Sequence, residues 1–191
     1  MNKHNINIIY KNPLIFIVDD FLSKNFCNQI INLNNKFLPS ETTSYSSNDY
    51  RKSESAIISD DKILSKIFSG LESKLNLDKK CFEKIQIQKY QKGGEYKKHF
   101  DALSKNNFKA QRQYSLIIYL NDNFSGGETC FERINKSIKP KSGRLLLFQN
   151  CLNNTNYPHP NSLHSGKYVS NGTKFILNSW SYQKHLNLDI S

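Results

Sequence analysis

Residues 84–101 read KIQIQKYQKGGEYKKHFD, and the fold turns on them. Ile85 and Ile87 alternate with polar neighbours, the two-residue period of a strand with one buried face. A Gly-Gly step follows, and the stretch closes on His99-Phe100-Asp101. Downstream the same period returns at Tyr114, Leu116, Ile118 and Leu120, at Leu145 and Leu147, and at Phe175 and Leu177, with Gly, Asn and Ser turns between the runs. Upstream the pattern differs. Residues 14–18, LIFIV, read as a buried strand. Ser23 then predicts a helix N-cap, with Phe26, Ile30, Ile31 and Leu33 as the helical stripe. Ile63, Leu64, Ile67, Phe68 and Leu71 predict a second helix over about 60–75. Between the helices, residues 39–50, PSETTSYSSNDY, predict a mobile polar loop.

Helices first and antiparallel strands afterwards predict a mainly β fold with flanking α: a double-stranded β-helix, or jelly roll, with the N-terminal helices packed outside. A Rossmann arrangement needs helices alternating with strands in the second half, and this half has none. The expectation is a single domain over 1–191, with a helical part over about 1–80 and a jelly-roll core over about 81–182.

The chain has 191 residues, long enough to bury a core without disulfide staples. It is 37% apolar and 23% charged, which excludes a disordered tail. No apolar run approaches the roughly 20 residues of a spanning helix. Residues 14–18 lack a signal-peptide cleavage site, so a cytoplasmic location away from membranes is expected. Cys27, Cys81, Cys130 and Cys151 show no paired spacing and read as free thiols. The net charge of +11 favours acidic partners. Its lysines are scattered rather than gathered with arginine and aromatics, so nucleic acid is not the expected partner.

His99 and Asp101 form an HxD pair, and on a strand residues i and i+2 share a face. By itself such a pair also fits an exposed polar strand end. A metal needs a third ligand, and His164 is the best candidate, on another predicted strand. His159, between Pro158 and Pro160, is the rival; His4 and His185 lie near the termini. Two imidazoles and one carboxylate on one side, with positions left open, suit a non-haem Fe(II) oxygenase. Lys174 follows His164 by ten positions, past an Asn171-Gly172 step that predicts a two-residue hairpin. The hairpin returns Lys174 beside the metal strand, where a buried lysine needs an anion. An ordinary surface lysine is the other reading.

Several blocks then resemble one family. They are Tyr90-x-x-Gly93-x-x-Tyr96-x-x-His99-x-Asp101, Arg112-x-x-Ser115-x-x-x-Tyr119-Leu120-Asn121, Gly126-Gly127-Glu128-Thr129-x-Phe131, Pro140-Lys141-x-Gly143-x-Leu145-x-x-Phe148, His164-x9-Lys174, and Trp180. In order and spacing they are similar to the prolyl 4-hydroxylase branch of the 2-oxoglutarate/Fe(II)-dependent dioxygenases, over about residues 14–182. The resemblance implies His99, Asp101 and His164 as iron ligands and Lys174 as partner of the distal carboxylate of 2-oxoglutarate. It implies Tyr90 and Thr129 as hydroxyl donors to that co-substrate, and Tyr96, Arg112 and Trp180 as walls of the substrate pocket. Arg51-Lys52-Ser53 resembles a strand motif near the peptide-closing loop, and Gly126-Gly127 reads as a tight turn. The implied cofactors are Fe(II), 2-oxoglutarate, dioxygen and ascorbate. The implied partner is a proline-containing peptide or protein. The alternatives are another free or peptidyl amino acid, a nucleic-acid demethylase, and a non-catalytic jelly-roll binding module. The chain departs from the family pattern at Tyr168, where proline is frequent, at Lys89, where arginine is, and across residues 102–111, ALSKNNFKAQ.

Overall fold

The computed structural model describes residues 6–33, 35–40, 50–103, 111–184 and 186. Its strands are β1 (Ile6–Lys11), β2 (Leu14–Val18), β3 (Leu38–Pro39), β4 (Glu54–Ile57), β5 (Gln86–Tyr90), β6 (Tyr96–His99), β7 (Tyr114–Tyr119), β8 (Ser125–Gly126), β9 (Thr129–Phe131), β10 (Lys136–Ile138), β11 (Leu145–Gln149), β12 (His164–Gly166), β13 (Val169–Asn171) and β14 (Lys174–Ser181). Two α-helices, α1 (Lys24–Ile31) and α2 (Asp61–Leu75), precede β5. A major eight-stranded sheet runs β1-β2-β11-β7-β14-β5-β4-β3, and a minor one runs β10-β9-β12-β6, with β13 and β8 pairing separately. Every pairing is antiparallel. This is a mainly β jelly roll with its helices outside, as the periodicity predicts.

The helices form where the sequence supplies caps and stripes. Ser23 Oγ accepts from Phe26 N at 3.3 Å to open α1, which buries Phe26, Cys27 and Ile30. Asp60 accepts from Lys62 N and Ile63 N, both at 3.0 Å, to open α2. Ile63, Ile67, Leu71 and Leu75, four apart, face inward, and Asn76 closes α2 in a left-handed conformation at φ 52°.

The central strands are apolar on both faces because each face meets a different core. Phe16, Val18, Leu116, Ile118, Leu145, Leu147 and Leu177 pack with α1 and α2. Their neighbours Ile15, Ile17, Tyr119, Leu146, Phe148 and Ile176 pack on the other side with Phe131 and Ile138 of the minor sheet. The functional cleft opens on this second side.

One expectation needs amending. Residues 1–80 are not simply a helical part, because β1, β2, β3 and β4 come from them and supply four of the eight strands of the major sheet. β1 at one edge of the sheet and β4, next to the short edge strand β3, are largely half-buried, and their mixed polarity hides the strand period. Most of the 39–50 loop, the centre of the 102–111 loop, His4 and His185 lie outside the described residues. All four cysteines are free, three of them buried and Cys81 half-buried. Among the described residues, no helix is long and apolar enough to cross a membrane.

Candidate active site

His99 and His164 are brought opposite each other by register. β6 and β12 pair antiparallel with His164 facing His99, and the ring centroids lie 4.2 Å apart. β6 ends at His99, so Asp101 is not a strand residue as the HxD spacing predicts. It lies in the bend that follows, and a hydroxyl from the major sheet reaches it: Ser115 Oγ donates to Asp101 Oδ2 at 2.6 Å. The carboxylate then faces both imidazoles, with Oδ1 3.5 Å from His99 Nε2 and Oδ2 3.6 Å from His164 Nε2. The three side chains are at most 10% exposed, and their ligand atoms all lie within 4.8 Å of one another.

The backbone decides which nitrogen is free. His99 Nδ1 is 2.7 Å from the Lys97 carbonyl and His164 Nδ1 is 3.0 Å from the Ser162 carbonyl. A carbonyl only accepts, so both Nδ1 atoms carry the hydrogen and both Nε2 lone pairs point at the shared centre. Burial, then the neighbouring His99 ring, pushes His164 down to about 4, so it is neutral at neutral pH. Burial also opposes the Asp101 charge, but the two histidines and the Ser115 hydroxyl more than offset it and hold the carboxyl well below the usual carboxylate range. Two imidazoles and one carboxylate fit a divalent iron, and among the described residues no further His, Cys, Asp or Glu joins the cluster, which leaves positions for other ligands. His159 is not one of them: its Nε2 is 3.1 Å from Asn12 Oδ1 and its Nδ1 accepts from Asn161 N.

Lys174 faces this centre from the other sheet, contrary to the hairpin expectation. Asn171 and Gly172, at φ 79°, form a corner: β13 pairs with β8, whereas β14 enters the major sheet between β7 and β5. Lys174, Ile176, Asn178 and Trp180 then share one face by the strand period and line the cleft with His99, Asp101 and His164. The Lys174 side chain is buried, its Nζ donates to the Gly127 carbonyl at 2.6 Å, and it lies 5.2 and 5.7 Å from the Tyr90 and Tyr119 ring centres. Burial pushes it down to about 8. Among the described residues it forms no ion pair with a carboxylate, so a fitting anion in the cleft relieves an uncompensated ammonium. Gly127 is needed here for space as well as for its φ of 73°, since a Cβ would sit 3.0 Å from Lys174 Cδ.

The other expected residues divide. Tyr90 and Thr129 line the cleft; the Tyr90 hydroxyl donates to Gln88 Oε1 at 2.9 Å, and Thr129 Oγ1 is 2.7 Å from the Tyr119 hydroxyl. Tyr96 stacks on the His99 ring at 3.5 Å and Trp180 forms part of the wall. Arg112 stands one layer out, stacked 3.6 Å over Trp180 and clamped by Glu83 at 2.5 and 2.8 Å. Sequence reasoning assigned no role to Ser115, Tyr119, Gln88 or Asn178, all at the cleft or bonded to its lining. The signal for Ser115 and Tyr119 was their place inside a quoted block. Arg51 also lines the cleft, 4.7 Å over the Tyr96 ring, and its buried Nη2 has no hydrogen-bond partner.

Comparison with known proteins agrees with this geometry. Residues 85–182 match the profile of the 2OG-Fe(II) oxygenase superfamily. A putative prolyl 4-hydroxylase of Acanthamoeba polyphaga mimivirus is 31% identical over 186 residues, covering 92% of this chain and 76% of that one. The crystal structure of a viral collagen prolyl hydroxylase from Paramecium Bursaria Chlorella virus-1, in complex with 2OG, superposes with a TM-score of 0.69 at 28% identity, over 87% of this chain and 94% of that one. A Trichoplax adhaerens prolyl hydroxylase, solved with a peptide fragment of the hypoxia inducible factor oxygen degradation domain, shares the fold with a TM-score of 0.67 at 20% identity, over 88% and 83% of the two chains. The chain thus belongs to the 2OG-Fe(II) oxygenase superfamily, among the prolyl 4-hydroxylase-like members, and is an iron- and 2-oxoglutarate-dependent dioxygenase.

Proposed function

We propose that this enzyme hydroxylates proline in a peptide or protein. The observation that carries the reading is one cleft with the His99, Asp101 and His164 cluster on its minor-sheet side and the unpaired Lys174 ammonium on its major-sheet side. Two relatives support proline as the target: the Chlorella virus enzyme is a collagen prolyl hydroxylase, and the Trichoplax enzyme was solved with a peptide.

In this reading His99, Asp101 and His164 hold Fe(II), which with 2-oxoglutarate and dioxygen supplies the oxidising power that turns a C–H bond into C–OH. Lys174 takes the distal carboxylate of 2-oxoglutarate through a charge-assisted hydrogen bond, with the Tyr90 and Thr129 hydroxyls beside it. Binding requires the Lys174 ammonium to share its hydrogens between the Gly127 carbonyl and the incoming anion, and its three hydrogens allow both. Tyr96 and Trp180 form apolar walls that orient the prolyl ring and keep water from the reacting carbon. Arg112 supports the Trp180 wall from behind. The dispersed lysines attract acidic sequences flanking the proline.

The test is a panel of proline-containing peptides and methylated oligonucleotides, each incubated with enzyme, Fe(II), 2-oxoglutarate and ascorbate. Succinate release and mass spectrometry are the readouts. Peptides should gain one oxygen on proline in step with succinate. Oxygen gained on another residue, or coupling to oligonucleotides alone, sinks the prolyl assignment.

A further inference from the structure

Asp101 is the one ligand of the three that no regular element carries, so something else must set its angle. The contact that does so is the Ser115 hydroxyl at 2.6 Å. A hydroxyl has a single hydrogen, and the short contact to a carboxylate claims it. Ser115 Oγ must then accept from elsewhere, and Asn150 Nδ2 lies 2.8 Å away, nearer than Asn150 Oδ1 at 3.2 Å. The hydrogens therefore run one way, from the Asn150 amide to Ser115 and from Ser115 to Asp101. Both supporting residues are buried, Asn150 at 0% exposure and Ser115 at 1%.

Asn150 is itself fixed by its main chain. Just past the end of β11, its N–H donates to the Gln113 carbonyl at 2.8 Å and its carbonyl accepts from His159 N at 2.8 Å. The turn anchored by His159 carries Ser162, whose carbonyl accepts the His164 Nδ1–H. One residue thus anchors the supports of two ligands that are distant in sequence.

We propose that Asn150 and Ser115 form a positioning relay that sets the Asp101 carboxylate toward the metal. Asn150 hydrogen-bonds to none of the three ligands, yet the affinity for the metal ion depends on its amide. The inference rests on the reading that His99, Asp101 and His164 hold the metal.

The test is calorimetric and spectroscopic titration of metal-free protein with Co(II), with a melting curve for each variant. Ser115→Ala and Asn150→Asp should each weaken Co(II) binding about tenfold to a hundredfold and alter the Co(II) absorption bands. Asn150→Asp keeps the shape but replaces the donor with an acceptor. Ser115→Thr, which keeps the hydroxyl, should retain wild-type affinity and bands. The double variant Ser115→Ala/Asn150→Asp should be no weaker than Ser115→Ala alone, because both break one chain of bonds. If Ser115→Ala does not fold, Ser115→Cys, a weak donor of similar shape, takes its place.

Wild-type affinity and bands in Ser115→Ala overturn the relay. So does an equal loss in Ser115→Thr, which assigns the effect to packing. Asp101→Ala separates the two layers. If it abolishes Co(II) binding while the relay variants do not, only the relay falls. If it leaves binding intact, the metal reading falls and the relay with it.

Discussion

His99, Asp101 and His164 show how much a single residue decides. Each presents one ligand atom to a common centre, and removing any one leaves two atoms that cannot reproduce the geometry. His99→Ala, Asp101→Ala and His164→Ala should each lower turnover by at least about a hundredfold. His159→Ala should retain turnover, since that ring is bonded to Asn12 and Asn161 away from the centre. Steady-state succinate release checks all four, and activity lost in His159→Ala but kept in His164→Ala would make His159 the third ligand. Lys174 makes a different prediction. Lys174→Ala should raise the KM for 2-oxoglutarate about tenfold to a hundredfold with Co(II) affinity unchanged, because a charge-assisted bond contributes roughly 1.5–3 kcal/mol. The pH dependence has a definite sign. The free enzyme's ammonium titrates near 8 rather than the ordinary 10.5. Between those values the unfolded chain keeps a proton that the folded chain has released, so this group makes stability rise with pH there. Binding runs the other way: the charge that holds the co-substrate is present below about 8 and lost above it. The KM for 2-oxoglutarate should therefore rise above pH 8, and Lys174→Ala should lack that rise.

Strand faces explain what the sequence pattern caught and what it passed over. The alternating set Ile85, Ile87, Tyr114, Leu116, Ile118, Leu120, Leu145, Leu147 and Leu177 lies in the core shared with α1 and α2. The cleft is lined from the opposite face, by Gln88, Tyr90, Ser115, Lys174, Asn178 and Trp180 among others. Their polarity hides them from a hydrophobic count, although the same two-residue period places them. The sequence at Asn171 and Gly172 suits a hairpin and a corner alike, because a left-handed glycine serves both, and only pairing partners tell them apart. Packing and chemistry are thus separated by the thickness of one sheet. Ile67→Ala, in the middle of α2 and fully buried, should cost roughly 2–5 kcal/mol of stability. Urea unfolding should show a lower midpoint at unchanged slope. Co(II) affinity of the folded protein should not change, and a parallel loss of metal binding would show that the two faces are coupled.

At the scale of the whole molecule the net charge of +11 acts through solvent, and salt screens it over about 8 Å at physiological ionic strength. Peptides with acidic residues flanking the proline should therefore bind more weakly as salt is added, while neutral peptides respond little. Competition assays at two salt concentrations check this, and equal responses would remove the charge from substrate selection. The overall architecture and the ligand types were legible in the sequence, because strand period, helix caps and the spacings His99-x-Asp101 and His164-x9-Lys174 are local in the chain. The preference for His164 over His159 came from the block that includes Lys174, and pairing of β12 with β6 puts His164 in place. Three strands from the first 80 residues, β1, β3 and β4, stayed hidden, because strands at the margins of a sheet gain their order from partners such as β2 and β5 and carry little apolar signal of their own. The outward position of Arg112 was equally illegible, since it depends on Glu83 meeting it across 29 residues of sequence separation. The sequence by itself determined which chemical groups are present and the period on which they repeat. Tertiary structure decided which face each group occupies, that Lys174 meets the metal cluster from the opposite sheet, and that Asn150 and Ser115 reach Asp101. Those are contacts between segments far apart in the chain, and only the pairing of strands and the closing of two sheets over one cleft can bring them together.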